Sequence, residues 1–155
     1  MEVKNIGTER ALQKIRQYCA YQERNHREVK EKLYSYGLYK EDVEELISRM
    51  IEENYLNEER YAIMFAGGKF RAKNWGRVKI RYELKQKGVS NYCLQKALAS
   101  IDDTDYEEIL QKLFDEKLRS LKSEKNIFIK KRKIRDFLLQ RGFESELISA
   151  LIHKL

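Results

Sequence analysis

The residues whose type and spacing point most directly to chemistry are cations. Between Lys69 and Lys87 stand Lys69, Arg71, Lys73, Arg77, Lys79, Arg81, Lys85 and Lys87 against one acid, Glu83, so this segment alone carries +7, equal to the net charge of the chain. A second cluster, Lys130, Lys131, Arg132, Lys133 and Arg135, follows further on. Cations at this density attract polyanions or acidic protein surfaces, and they hold phosphates without reading bases. The plain alternative is a solvated helix face. A face built only for solubility, however, mixes signs for i,i+4 pairing, and here acids are nearly missing, which favours binding. Trp75, the only tryptophan, stands beside Gly76, with Phe70 and Tyr82 near it. Two roles are open to it: stacking on a base or anchoring the packing between repeats. Glu41 to Glu59 is the reverse, with eight acids against Arg49, so the chain is electrically polarised.

Covalent and metal chemistry find no support. His26 and His153 are the only histidines, and neither has a Cys or His at metal-ligand spacing. GxSxG, HExxH, GxxxxGK[ST] and GxGxxG are all absent, and the Gly67–Gly68 pair runs into KFRAK rather than a phosphate loop. The carboxylates fall on helix faces, where solvation explains them. No catalytic residue, cofactor, metal or small-molecule substrate is expected.

The elements that must position the cations follow from three glycines in matching surroundings: Gly37 in KLYSYGL, Gly88 in ELKQKGV and Gly142 in FLLQRGF. Eight residues before them stand Val29, Ile80 and Ile134; four before, Leu33, Leu84 and Leu138; one after, Leu38, Val89 and Phe143. Offsets six, nine and ten add Val43, Leu94 and Ile148, then Leu46, Ala97 and Leu151, then Ile47, Leu98 and Ile152, all apolar. These offsets describe one helical face before each glycine and another after it, with the glycine in the left-handed conformation that ends the first helix. An amphipathic stretch precedes each pair: Leu12, Ile15 and Cys19; Tyr61, Ala62 and Phe65; Ile109, Leu110, Leu113 and Phe114. The fold expected is therefore all-α, three tandem three-helix, helix-turn-helix-like repeats over residues 11–53, 55–100 and 105–155, stacked into one elongated, curved array. Ile127 and Ile129 alternate as a strand would, but without a partner strand the stretch 126–130 is read as helix. The Lys-rich connection between Leu118 and Ile134 is expected to be long and flexible.

Composition agrees. The chain has 155 residues, no Pro, seven Gly and 37% charged residues, which suits helices and excludes disordered and collagen-like classes. The longest apolar runs, such as Ala62 to Ala66, are far below a membrane span of about 18 residues. Met1 to Arg10 is polar and lacks the apolar region of a secretory signal, and Cys19 and Cys93 lie far apart inside amphipathic segments, so buried thiols in a cytoplasmic protein are expected. A sequence-reading helix-turn-helix is disfavoured by charge. The helices after the glycines read KEDVEELISRMIEE, SNYCLQKALAS and ESELISALIHKL, and a phosphate-lined groove would repel the first and gain little from the others.

Two stretches carry a resemblance to a known family. NYLNEERYAIMFAGGKFRAKNWGRVKIRYELKQKGV is similar to the central signature of the RecX regulators of the RecA recombinase, and KRKIRDFLLQRGFESELISALI to the C-terminal one. Glu59, Arg60, Tyr61 and Ala62 resemble the acid, Arg, aromatic, Ala string of that family, and Gly76, Ile80, Leu84, Lys87 and Gly88 its glycine-to-KG segment. The similarity runs from about Ala11 to Ile152. Asn57 stands where relatives often have Asp, altering a cap, and Arg77 where Pro often follows the glycine, altering a turn. The resemblance implies a cytoplasmic, non-catalytic modulator, without a cofactor, that binds RecA filaments on single-stranded DNA, blocks their extension or promotes their disassembly, and so restrains recombination and the SOS response. In that setting Lys69, Arg71, Lys73, Arg77, Lys79, Arg81, Lys85, Lys130, Lys131, Arg132 and Lys133 are the residues expected to meet DNA or RecA, with Arg77, Arg81 and Lys85 on one exposed stripe removable without loss of helix. The alternatives are a sequence-nonspecific single-strand binder without a recombinase partner, and a scaffold for another acidic protein.

Overall fold

The computed structural model describes residues 3–155, and among these nine α-helices and no strands form: α1 (Thr8–Tyr21), α2 (His26–Ser35), α3 (Lys40–Glu52), α4 (Glu58–Lys73), α5 (Arg77–Gln86), α6 (Asn91–Ala99), α7 (Asp103–Ser120), α8 (Ile127–Arg141) and α9 (Ser145–Ile152). Polar residues start most of them by accepting an orphan backbone N–H. Asn25 makes a full capping box with Glu28, while Asn57, Ser90, Asp102 and Asn126 cap α4, α6, α7 and α8. The close helix packing runs within α1–α3, α4–α6 and α7–α9, giving three successive three-helix groups.

The glycine frame is as expected. Gly37, Gly88 and Gly142 have φ of 81°, 80° and 96°, a region L side chains avoid. Val89 N–H donates to the Leu84 carbonyl and Phe143 N–H to that of Leu138, closing α5 and α8 in Schellman fashion. Of the 18 residues at the repeated offsets, all are buried except Ile47 and Leu151, which are half-buried against the core. Both cysteines are buried and free.

The apolar interior is not divided evenly among the three groups. Ten residues of α1–α3 and its flanks, from Ala11 to Leu56, form one core. A second, of 21 residues from Tyr61 to Ile152, runs without a break through α4–α9. The seam between the two cores is polar: Arg60 pairs with Glu23, Asn25 Nδ2 donates to the Tyr61 hydroxyl at 3.4 Å, and Arg27 donates to the Gln86 carbonyl at 2.8 Å. The accessible surface of 10141 Å² exceeds the roughly 8,300 Å² expected for a compact monomer of this mass, as an elongated stack requires.

One expectation needs correction. The segment 118–134 is no long flexible connection, because α7 extends to Ser120 and α8 starts at Ile127, leaving only 121–126 between them. That turn is closed by Glu124 N–H donating to the Leu121 carbonyl, and Asn126 Oδ1 accepts from the N–H groups of Phe128 and Ile129. The strong cap draws the lysine-rich stretch into helix.

Candidate functional site

The basic segment of 69–87 spans the end of α4, a tight turn and all of α5. Asn74 closes α4 in the left-handed region at φ 55°, and Trp75 and Gly76 lead into α5. The turn is held from outside its own repeat. Gly76 N–H donates to the Arg141 carbonyl at 2.8 Å and Val78 N–H to the Gly142 carbonyl at 2.9 Å. The open donors at the start of α5 thus meet the open acceptors at the end of α8. A Cβ on Gly76 would lie 2.3 Å from the Gly142 carbonyl oxygen, and one on Gly142 2.2 Å from Lys79 Cβ, so the two backbones approach as only glycines allow.

Arg77 belongs to this junction. Its guanidinium bonds Asp103 at 2.6 Å and Glu144 at 3.2 Å and lies 3.8 Å from the centre of the Tyr106 ring, and its side chain is only 23% exposed. The buried Tyr106 hydroxyl accepts from Arg77 N–H at 2.9 Å and donates to Glu144. Burial, then the Glu144 carboxylate, push this phenol well above its ordinary pKa. Arg77 therefore does not share an exposed stripe with Arg81 and Lys85: two acids and an aromatic ring, 26 to 67 residues away, draw it inward.

The other cations of the segment fall into three groups, with Arg71, Lys73 and Lys85 exposed and Lys69, Lys79, Arg81 and Lys87 half-buried. Lys69 and Lys79 place their ammonium groups 5.1 and 4.6 Å from the Trp75 ring centre, and Lys69 and Lys87 lie 5.6 and 5.5 Å from that of Phe65. Phe65 and Trp75 meet edge to face at 6.4 Å, and the half-buried Trp75 ring packs against the core of α4–α9. Arg81, half-buried, and Lys85, exposed, lie one turn apart on α5 beside the exposed Tyr82, and Arg71 and Lys73 are exposed at the end of α4. Among the described residues, no acid lies within salt-bridge distance of these seven cations.

The later cluster is on α8. Arg132 and Lys133 are exposed, Lys130 and Lys131 half-buried, and Lys133 reaches Glu124 only at 3.9 Å. These residues stand 9–12 positions before Gly142, about 14–18 Å along the helix from the Gly76 junction, so the two clusters are separate patches. Sequence reasoning missed Arg141, which donates to the Lys73 carbonyl at 2.8 Å, and Arg27 and Arg60, which join the first repeat to the second. It also missed Phe128, 80% exposed beside the α8 lysines; an aromatic residue between Asn126 and a run of cations was the available signal. Among the described residues, no group of three His, Cys, Asp or Glu could hold a metal, and no helix is long and apolar enough to cross a membrane.

Fold and surface together define an all-helical protein of stacked three-helix groups with outward basic patches. The comparisons with known proteins sharpen this class. The model of the second three-helix domain of RecX matches residues 57–98, and that of the third matches 104–152. Regulatory protein RecX of Clostridium perfringens (strain 13 / Type A) is 32% identical over 133 residues, covering 85% of this chain and 62% of its own length. That of Prosthecochloris aestuarii is 29% identical, covering 96% and 95%. The crystal structure of RecX from Lactobacillus salivarius superposes with a TM-score of 0.84 at 26% identity, covering 96% of both chains. The chain belongs to the RecX family. It spans about 60% of the length of several of its curated relatives, among them those of Clostridium perfringens and Bacillus cytotoxicus.

Proposed function

We propose that the chain is a cytoplasmic, non-catalytic regulator of the RecA recombinase that binds RecA filaments on single-stranded DNA and limits their extension or promotes their disassembly, restraining recombination and the SOS response. The observation that carries this reading is the basic surface of the end of α4 and of α5, where Glu83 is the one acid and no salt bridge neutralises seven of the cations, in a member of a family of regulatory proteins. In it residues 1–155 act as one unit, with repeats 11–53, 55–100 and 105–155 laid along the filament. Lys69, Arg71, Lys73, Lys79, Arg81 and Lys85, and on α8 Lys130, Lys131, Arg132 and Lys133, meet phosphates or acidic protein. Arg77 serves the surface from beneath, by fixing the junction on which α5 rests.

The test is the DNA-dependent ATPase of RecA from the same organism on single-stranded DNA, with the chain added from far below to equal stoichiometry. Inhibition at substoichiometric amounts is expected. Unchanged ATPase at equal stoichiometry, with DNA binding intact, would remove RecA from the proposal. The lysine-ringed Trp75 and Phe65 favour a second reading, a plain single-strand binder. It predicts that about six neutralised phosphates give a slope of log affinity on log salt near about −4, whereas a filament complex held partly by protein contacts falls less steeply.

A further inference from the structure

Helix α8 begins earlier in its repeat than its counterparts. α2 and α5 each start eleven residues before their glycine, whereas α8 starts fifteen before Gly142. The added turn, 127–130, contributes little to the core: Ile127 is 42% and Phe128 80% exposed, and neither belongs to a buried cluster. The turn is nevertheless held firmly. Asn126 caps it, and Glu124 accepts from Asn126 N–H at 3.1 Å while facing Lys133. The fold thus builds one turn beyond its packing needs and sets a phenyl ring in water at its start.

The charge around that ring has one sign. From Lys122 to Arg135 there are seven basic residues against Glu124, a net +6. At about 100° per residue, Phe128, Lys131, Arg132 and Arg135 share one face of α8. Arg132 is exposed, Arg135 donates to Ser149 Oγ at 3.0 Å, and the first acid along this face is Asp136, a turn beyond Arg132. An exposed aromatic ring one helical turn, about 6 Å, from two cations matches the two needs of a single strand, a surface for a base and charges for the adjoining phosphates.

We propose that the Phe128–Arg132 face of α8 is a single-stranded nucleic-acid contact in which Phe128 stacks on a base while Lys131 and Arg132 hold the flanking phosphates. It deepens the reading above, on which it rests for the ligand, by assigning one patch to DNA rather than to protein. Stacking needs a base and ion pairing does not, so the two parts separate experimentally.

Fluorescence polarisation is measured with the full chain on a labelled oligothymidylate and on an abasic strand of equal length and charge. The wild-type chain is expected to bind the thymidylate more tightly. Phe128→Ala should weaken thymidylate binding about tenfold with little effect on the abasic strand and an unchanged salt slope, and Phe128→Tyr should restore it. Lys131→Ala with Arg132→Ala should weaken both strands and flatten the salt slope by up to about 1.4. Equal thymidylate binding by wild type and Phe128→Ala, or an equal loss on both strands, overturns the proposal. Phe128→Ala that binds both strands as wild type but no longer inhibits RecA also overturns it, showing a protein contact. A base-dependent loss in a chain whose wild type leaves the RecA ATPase unchanged upholds the stacking site while the recombinase reading falls.

Discussion

Arg77 and Arg81 are both arginines of α5, four positions apart, and the structure gives them opposite work. Arg77→Ala removes the partner of a half-buried Glu144 and of the Tyr106 ring, and should cost about 1–3 kcal/mol in urea unfolding. Arg81→Ala and Lys85→Ala, which break no ion pair, should stay within about 0.5 kcal/mol while reducing binding to anionic partners. A triple Ala variant that includes Arg77 would confuse instability with lost binding, so Arg81→Ala with Lys85→Ala is the cleaner probe. The spacing of the cations was legible because charge is written residue by residue. The capture of Arg77 was not, since its acids lie 26 and 67 positions away. Buried titratable groups give a further expectation. Burial pushes the Cys19 thiol up to about 11 and raises the phenols of Tyr18, Tyr36, Tyr61 and Tyr106. Each folded-state pKa lies above its unfolded value, so their contribution is fully present below pH 9. It should fall between pH 9 and 11 for Cys19, by up to about 1.4 kcal/mol per pH unit, and from about pH 10 upward for the tyrosines. Denaturant melts at pH 8 to 11 check this, and Cys19→Ala should flatten the first part of the decline.

Among the elements, the glycines show how differently the same residue is used. Gly76→Ala forces a methyl into the Gly142 carbonyl and should cost about 2 kcal/mol or more, loosening α5 from α8. Gly68 lies inside α4, and a methyl there would meet nothing within 4 Å, so Gly68→Ala should gain about 0.5–1 kcal/mol. Thermal melts of the two variants should therefore move in opposite directions. The helix-ending glycines 37, 88 and 142 were readable because their positive φ leaves a local signature, a left-handed stop followed by an apolar residue. Gly76 has φ −79° and carries no such mark; its need for no side chain arises only where α8 ends against it. The start of α8 was obscured for another reason. Alternating Ile127 and Ile129 suit a strand as well as a helix, and the Asn126 cap with the closed turn before it decides for helix.

For the whole molecule, the split interior predicts unequal stability. The smaller core of α1–α3 meets the rest across Glu23–Arg60, Asn25–Tyr61 and Arg27 to Gln86, whereas α4–α9 share continuous apolar packing and backbone bonds. Native-state hydrogen exchange should show α1–α3 opening at lower free energy than α4–α9, and Arg60→Ala should lower the protection of α1–α3 alone. Uniform exchange across all nine helices would count against a divided core. The sequence by itself determined the all-helical class, the three glycine-centred pairs and the two basic clusters, because helix periodicity, left-handed stops and charge density are local properties that a short window records. Only the tertiary structure decided that the second and third repeats fuse into one core, that Arg77 is drawn onto two distant acids while Lys79 and Arg81 meet none, and that Phe128 stands exposed among lysines. Those outcomes depend on which distant backbone and acid groups come within a few ångströms, a distance that separation along the chain does not encode.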